Sequence, residues 1–149
     1  MTAVSSSIEI DVPPERVWDV IMDPQHFDDW VTIHRKLNYV DDGRLRPGFR
    51  VDQTLCLHHA NFKVKWSLAE FDAPHHAVWE GKGPAGSHAR IVDKLTALDG
   101  GQKTRFDYLN EYSQPGGFLG RMAGRVLVAG TAEKEASRSL ERLKAFLER

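Results

Sequence analysis

Five polar residues, Gln53, Asp93, Tyr108, Asn110 and Tyr112, could do chemistry in this sequence because strand parity sets them among hydrophobic and aromatic residues on one face. Residues two apart on a strand share a face, so Asp93 is expected beside Ile91 and Leu95 on an inward-facing side. A carboxylate there costs several kcal/mol unless it is hydrogen-bonded or protonated. Two readings follow. Asp93 is either a polar anchor or general acid/base with a raised pKa, assisted by Tyr108, or a structural residue held by Tyr108 or an internal arginine, or open to solvent at a cavity mouth. Asp93 and Tyr108 are the candidate catalytic residues, with Asn110 beside them for proton transfer or enol stabilisation, and none is assigned a role in catalysis.

Other chemistries find less support. Cys56 is the only cysteine, which rules out an intramolecular disulfide and a cysteine-based zinc site. It falls on the outward parity with Asp52 and Thr54, and no nucleophile motif surrounds it. The adjacent pairs His58-His59 and His75-His76 lie in or beside turns, and strand neighbours point to opposite faces. No zinc-ligand spacing is present, so neither a metal nor a cofactor is expected. The glycine-rich segment 81–86 does not match a phosphate loop and is expected to form a lid-like loop, with His88 at the cavity rim or simply solvated. Arg121 and Arg125, four apart, are either a clamp for an anion or a solvated helix face.

The elements that position these residues are strands and one long helix. Ile8, Ile10 and Val12 alternate with charged residues in a strand over 5–12. Pro13-Pro14 ends it and opens a short helix with Val17, Trp18, Val20 and Ile21 buried. Asp23-Pro24 breaks that helix, and a second runs to Trp30 with Phe27 and Trp30 turned inward. Strands are then expected over 36–40, 49–57, 62–68, 76–81, 89–98 and 104–112, with a turn at 71–74.

Two hairpins allow an internal test. A loop at Gly100-Gly101 pairs Leu95 with Phe106, Asp93 with Tyr108, Ile91 with Asn110 and Ala89 with Tyr112. Opposed residues share a face, so the apolar set of one strand meets the aromatic set of the other. A loop over 58–61 sets Gln53 against Trp66 and Leu55 against Val64. The inner face then collects Gln53, Leu55, Trp66, Trp79, Ile91, Asp93, Phe106, Tyr108, Asn110 and Tyr112.

Such a one-sided antiparallel sheet must cover its apolar face. Residues 116–149 supply the cover: Leu140, Leu143 and Leu147 recur on one helix face, with Ala136 one turn earlier and Phe146 beside them. The first half of that segment interleaves Met122 and Val126 with Gly120, Ala123, Gly124, Ala129 and Gly130. Each mid-helix glycine costs about 1 kcal/mol relative to alanine. Either the helix kinks near Gly130, or it is thin because something must fit beside it. On the second reading Met122 and Val126 join the ligand-binding set.

Bulk properties narrow the partners. The 149 residues suit one domain, and no repeat or linker divides them. A net charge of -1 leaves no electrostatic footprint for nucleic acid and no polybasic anchor for a membrane. No apolar stretch is long enough to span a bilayer, and residues 1–7 lack the pattern of a secretory signal, so a cytoplasmic location is expected.

The stretch Val12-Pro-Pro-Glu-Arg-Val-Trp18, then Asp23-Pro24 to Trp30, the ending Thr104-Arg-Phe-Asp-Tyr-Leu-Asn-Glu-Tyr112, 115–120 and Ser139-Leu-Glu-Arg-Leu-Lys144 together resemble the START/pollen-allergen-like (SRPBCC) superfamily, and within it the polyketide cyclase/dehydrase-type proteins. The likeness spans essentially the whole chain. It implies an α+β helix-grip fold, a curved antiparallel sheet of about six or seven strands wrapped around the C-terminal helix. It also implies a cavity for lipids, sterols, polyketides or other apolar ligands. No fixed catalytic motif defines the superfamily, so none is carried over. Three readings follow: binding or carriage of a small hydrophobic or aromatic ligand, polyketide cyclase/dehydrase chemistry of the aromatase type, or an accessory factor that binds a protein partner the sequence does not identify.

Overall fold

A computed structural model of the chain describes residues 2–113 and 122–149, with side chains of the last stretch described from Gly130 onward. Met122, Val126, Arg121 and Arg125, singled out above, lie outside the described side chains, as does the stretch 114–120. The elements run β1 (Thr2–Ile10), α1 (Pro14–Ile21), a 3-10 turn (Pro24–His26) leading into α2 (Phe27–Trp30), β2 (His34–Val40), β3 (Arg50–Leu57), β4 (Ala60–Asp72), β5 (His76–Lys82), β6 (His88–Leu98), β7 (Lys103–Ser113) and α3 (Met122–Leu147). The strands make one seven-stranded sheet, antiparallel throughout, in the order β1-β7-β6-β5-β4-β3-β2. This is the expected helix-grip arrangement.

Local chemistry explains the entry to the sheet. Pro13 is extended and Pro14 starts α1, where a missing N–H leaves no bond unmade. The Asp23 carboxylate accepts from the Gln25 N–H at 2.9 Å and caps the next turn. β1 begins at Thr2 rather than Ser5, because Thr2, Ala3 and Val4 continue the ladder with Tyr112, Glu111 and Asn110 of β7.

The two hairpins turned out differently. The β6–β7 register matches expectation: Asp93 faces Tyr108, Ile91 faces Asn110 and Ala89 faces Tyr112. The β3–β4 register does not. Gln53 faces Val64, Leu55 faces Phe62 and Val51 faces Trp66, a shift of two residues. The loop is His58-His59 alone, both at positive φ, which gives a tighter turn than the four-residue loop expected over 58–61. β4 also runs on to Asp72, past an irregularity between Leu68 and Glu70, so 71–72 are strand rather than turn.

One end of the interior is solid. Ile10, Val17, Leu68, Phe106, Leu140 and Leu143 are fully buried there. The end of α3 is fastened to β1 and the residue after it: Lys144 Nζ donates to the Glu9 carbonyl at 2.9 Å, and Glu148 accepts from the Asp11 N–H at 2.7 Å. α3 runs uninterrupted through Gly130, which is exposed, and a Cβ there would meet nothing within 4 Å. That glycine therefore answers no close contact. Among the described residues, no helix is long and apolar enough to cross a membrane.

Candidate functional site

The other end of the interior is hollow. A cavity of about 220 Å³ lies between the inner face of the sheet, the α2 region and α3. The helix sequence explains the change. Leu140, Leu143 and Leu147 fill the space over the core, whereas Ala132, Ala136 and Ser139, earlier on α3, line the cavity with small side chains. Phe27, Trp30, Val31 and Ile33 close a second side. This side is tied to the helix: the Thr32 N–H donates to Ser139 Oγ at 3.0 Å, and the Thr32 hydroxyl to the Glu135 carbonyl at 3.3 Å. Gly83, Pro84, Ser87 and His88, from the glycine-rich connection and the start of β6, contribute the remaining edge.

Trp66 forms much of the sheet wall, and Gly81 makes its position possible. The two residues are paired across β4 and β5, so they share the inner face. A Cβ on Gly81 would lie 2.6 Å from Trp66 Cζ3 and 2.9 Å from Val64 Cγ1. The indole thus lies flat on bare backbone, which only glycine permits at that distance.

The polar groups of the site fall into two sets. The first is fully paired. Trp66 Nε1 donates to Gln53 Oε1 at 2.9 Å, and Gln53 Nε2 lies 2.8 Å from His34 Nδ1. Because Oε1 is the acceptor, Nε2 is the donor, so His34 Nδ1 accepts and its proton sits on Nε2. That Nε2 points toward the exposed Asp28 carboxylate at 3.7 Å. Burial pushes the His34 pKa down, against the opposing pull of Asp28, so the ring is neutral near pH 7. Gln53 lines the cavity, yet both ends of its amide are committed to protein partners.

The second set is unpaired. Asp93 Oδ1, Asn110 Oδ1 and the Tyr112 hydroxyl are buried with no hydrogen-bond partner among the described residues, and Trp30 Nε1 is in the same position. Asp93 retains only 6 % of its exposure. Among the described residues neither Tyr108 nor an arginine pairs with its Oδ1; Arg121 and Arg125 lie outside them. Burial alone pushes its pKa from 3.8 to about 7. The Tyr108 phenol is raised by burial and then by the nearby Asp93 charge, while a hydrogen bond with Asn110 pulls the other way. Burial raises Tyr112 as well. A buried polar atom left unpaired costs about 1–3 kcal/mol, so these groups call for partners that the described residues do not supply. Chemically, the site offers a carboxyl that can hold or release a proton near neutrality beside a phenol that remains protonated.

Of the residues expected here, Gln53, Leu55, Trp66, Trp79, Ile91, Asp93, Tyr108, Asn110 and Tyr112 line the cavity. Phe106 does not: it is fully buried in the solid core, edge-on to Trp30 at 6.3 Å, because its rung of the sheet lies with Leu95 under the leucines of α3. The sequence reading missed Val31 and Ile33 of the lining, because they precede β2 in what read as a connection. It also missed His34, which is buried and lies just before the strand expected over 36–40. No group of three or more His, Cys, Asp or Glu residues that could hold a metal ion occurs among the described residues.

Comparison with known proteins adds the following. The model of the family described as "Polyketide cyclase / dehydrase and lipid transport" matches residues 1–148. A protein of Mycobacterium tuberculosis named Toxin Rv0910 is 24% identical over 107 residues, covering 72% of this chain and 74% of its own. Among solved structures, the Zhui aromatase/cyclase from Streptomyces sp. R1128 superposes with a TM-score of 0.80 at 15% identity, over 99% of this chain and 94% of that one. TTHA0849 from Thermus thermophilus gives a TM-score of 0.79 at 17% identity, over 99% and 97% of the two chains. At these identities, the structural likeness is one of fold.

Proposed function

The chain belongs to the polyketide cyclase / dehydrase and lipid transport family, and from that premise we propose that it binds and carries a small apolar or aromatic molecule between its sheet and α3. The observation that carries this reading is the cavity of about 220 Å³ walled by Trp66, Trp79, Ile91, Ala136 and Leu140. A cavity of about 150 Å³ is known to admit benzene, so a guest of one or two rings is of the right size. Trp30, Trp66 and Trp79 line the same space and will report occupancy through their fluorescence. Titration with naphthalene is expected to change that fluorescence saturably. Ala136→Phe, which fills the space from the helix side, is expected to abolish the change while the protein still melts cooperatively. A response that persists undiminished in the folded variant would refute cavity binding.

A second reading, a cyclase/dehydrase enzyme, is favoured by one observation: Asp93, raised to about 7, is suited to general acid/base work at neutral pH beside Tyr108. The Streptomyces protein of the same fold is an aromatase/cyclase. Incubation with a poly-β-keto substrate tests this reading. Products altered by the protein but not by Asp93→Asn support it, and identical products with both proteins remove it.

A further inference from the structure

The unpaired groups are not scattered over the cavity. Tyr112, Asn110 and Tyr108 are successive inward residues of β7, and across the ladder they face Ala89, Ile91 and Asp93. Tyr112, Asn110 and Asp93 therefore occupy three consecutive inward rungs, about 7 Å apart along the strand. The row begins next to His88 at the edge of the cavity and ends at the buried Asp93.

The charge of the lining limits the guest. No lysine or arginine is among the described lining residues, which include the carboxylates Asp93 and Glu135. Glu135 is already paired with Arg138 at 2.8 Å. His88 is the one histidine among the described lining residues, and it is exposed at the edge. An anionic guest would thus lie beside a buried carboxyl, with no lysine or arginine among the described lining residues to meet it.

On the reading that the cavity holds a guest, we infer that the guest is an uncharged ring compound with hydroxyl groups along one edge, seated against the row Tyr112, Asn110 and Asp93, and that carboxylates are excluded. A hydroxyl both donates and accepts. It can donate to Asn110 Oδ1, accept from the Tyr112 hydroxyl, and exchange a hydrogen bond with Asp93 whether that group is ionised or not. Supplying partners to buried groups left unpaired also gives more discrimination than adding apolar surface.

Four probes test this by tryptophan fluorescence and calorimetry on the intact chain: naphthalene, naphthol, dihydroxynaphthalene and naphthoate. Affinity is expected to rise with each hydroxyl, with dihydroxynaphthalene at least about tenfold tighter than naphthalene. Naphthoate is expected to bind more weakly than naphthalene. Tyr112→Phe, a change that preserves the ring, should narrow the gap between dihydroxynaphthalene and naphthalene several-fold. If naphthalene binds and hydroxyls add nothing, or naphthoate matches dihydroxynaphthalene, this inference is wrong while cavity binding stands. If none of the four binds, cavity binding itself fails and the inference fails with it.

Discussion

Asp93→Asn isolates the energetic consequence of a lone carboxyl inside this fold. Asp93 has no hydrogen-bond partner for its Oδ1 among the described residues, and burial pushes its pKa from 3.8 to about 7. A folded value above the unfolded one means that the native state binds more protons than the unfolded chain between those two pH values. Stability is therefore complete at low pH, falls as pH rises through that window, and levels off above it. At about 1.4 kcal/mol per pH unit, the separation amounts to a loss of about 4 kcal/mol. The loss is about 1–2 kcal/mol at about pH 5 and near its full value at about pH 8.5. Asparagine has nearly the same shape and no charge to lose, so the variant lacks this slope. Any deficit from its own unpaired amide is independent of pH. Urea unfolding of both proteins at the two pH values should show Asp93→Asn gaining about 2–3 kcal/mol on the parent between them. With a typical urea slope, that is a relative shift of roughly 1 M in midpoint. Every other titrating group is common to both chains and cancels. A difference that stays constant with pH would show that the carboxyl is solvated or paired, and the argument for an open polar row would go with it.

Gly81→Ala places a Cβ within 2.6 Å of the Trp66 ring. It is expected to push the indole toward the cavity, to destabilise the fold by about 1–3 kcal/mol and to weaken naphthalene binding, all measurable by urea unfolding and fluorescence titration. Gln53→Leu strips the partners from Trp66 Nε1 and His34 Nδ1. A loss of about 1–3 kcal/mol for each buried group left unpaired should appear in the unfolding midpoint. Leu143→Ala, at a fully buried position on α3, should lose about 2–5 kcal/mol by the same measurement. Gly130→Ala, on the exposed side of the same helix with open space around it, should gain up to about 1 kcal/mol. A loss there would mean that Gly130 has a backbone role.

The two hairpins show how far pattern reaches. In β6–β7 the Gly100-Gly101 turn and the inward aromatic set agree on one register, and the strands adopt it. In β3–β4 the alternation was equally clear, yet the register is displaced by two residues. A slip of one residue would turn every side chain to the wrong face, and the pattern forbids it; a slip of two keeps every face correct, and the pattern is silent. What decided it was whether His58 and His59 could both take up positive φ, a property of the turn rather than of alternation.

The candidate site divides along the same line. Parity along one strand turns Asp93, Tyr108, Asn110 and Tyr112 inward, and the leucine spacing of the last helix provides their cover; both follow from periods of two and three to four residues that depend on the local chain. That Asp93 Oδ1 lacks a partner among the described residues, that Gln53 has no free end, and that Phe106 sits in solid core depend on atoms brought from distant parts of the chain. So does the hollow itself. The sequence determined which faces look inward. Only the packing of α2 and α3 against the sheet decided where that inward space was filled by leucine and where alanine and serine left it open.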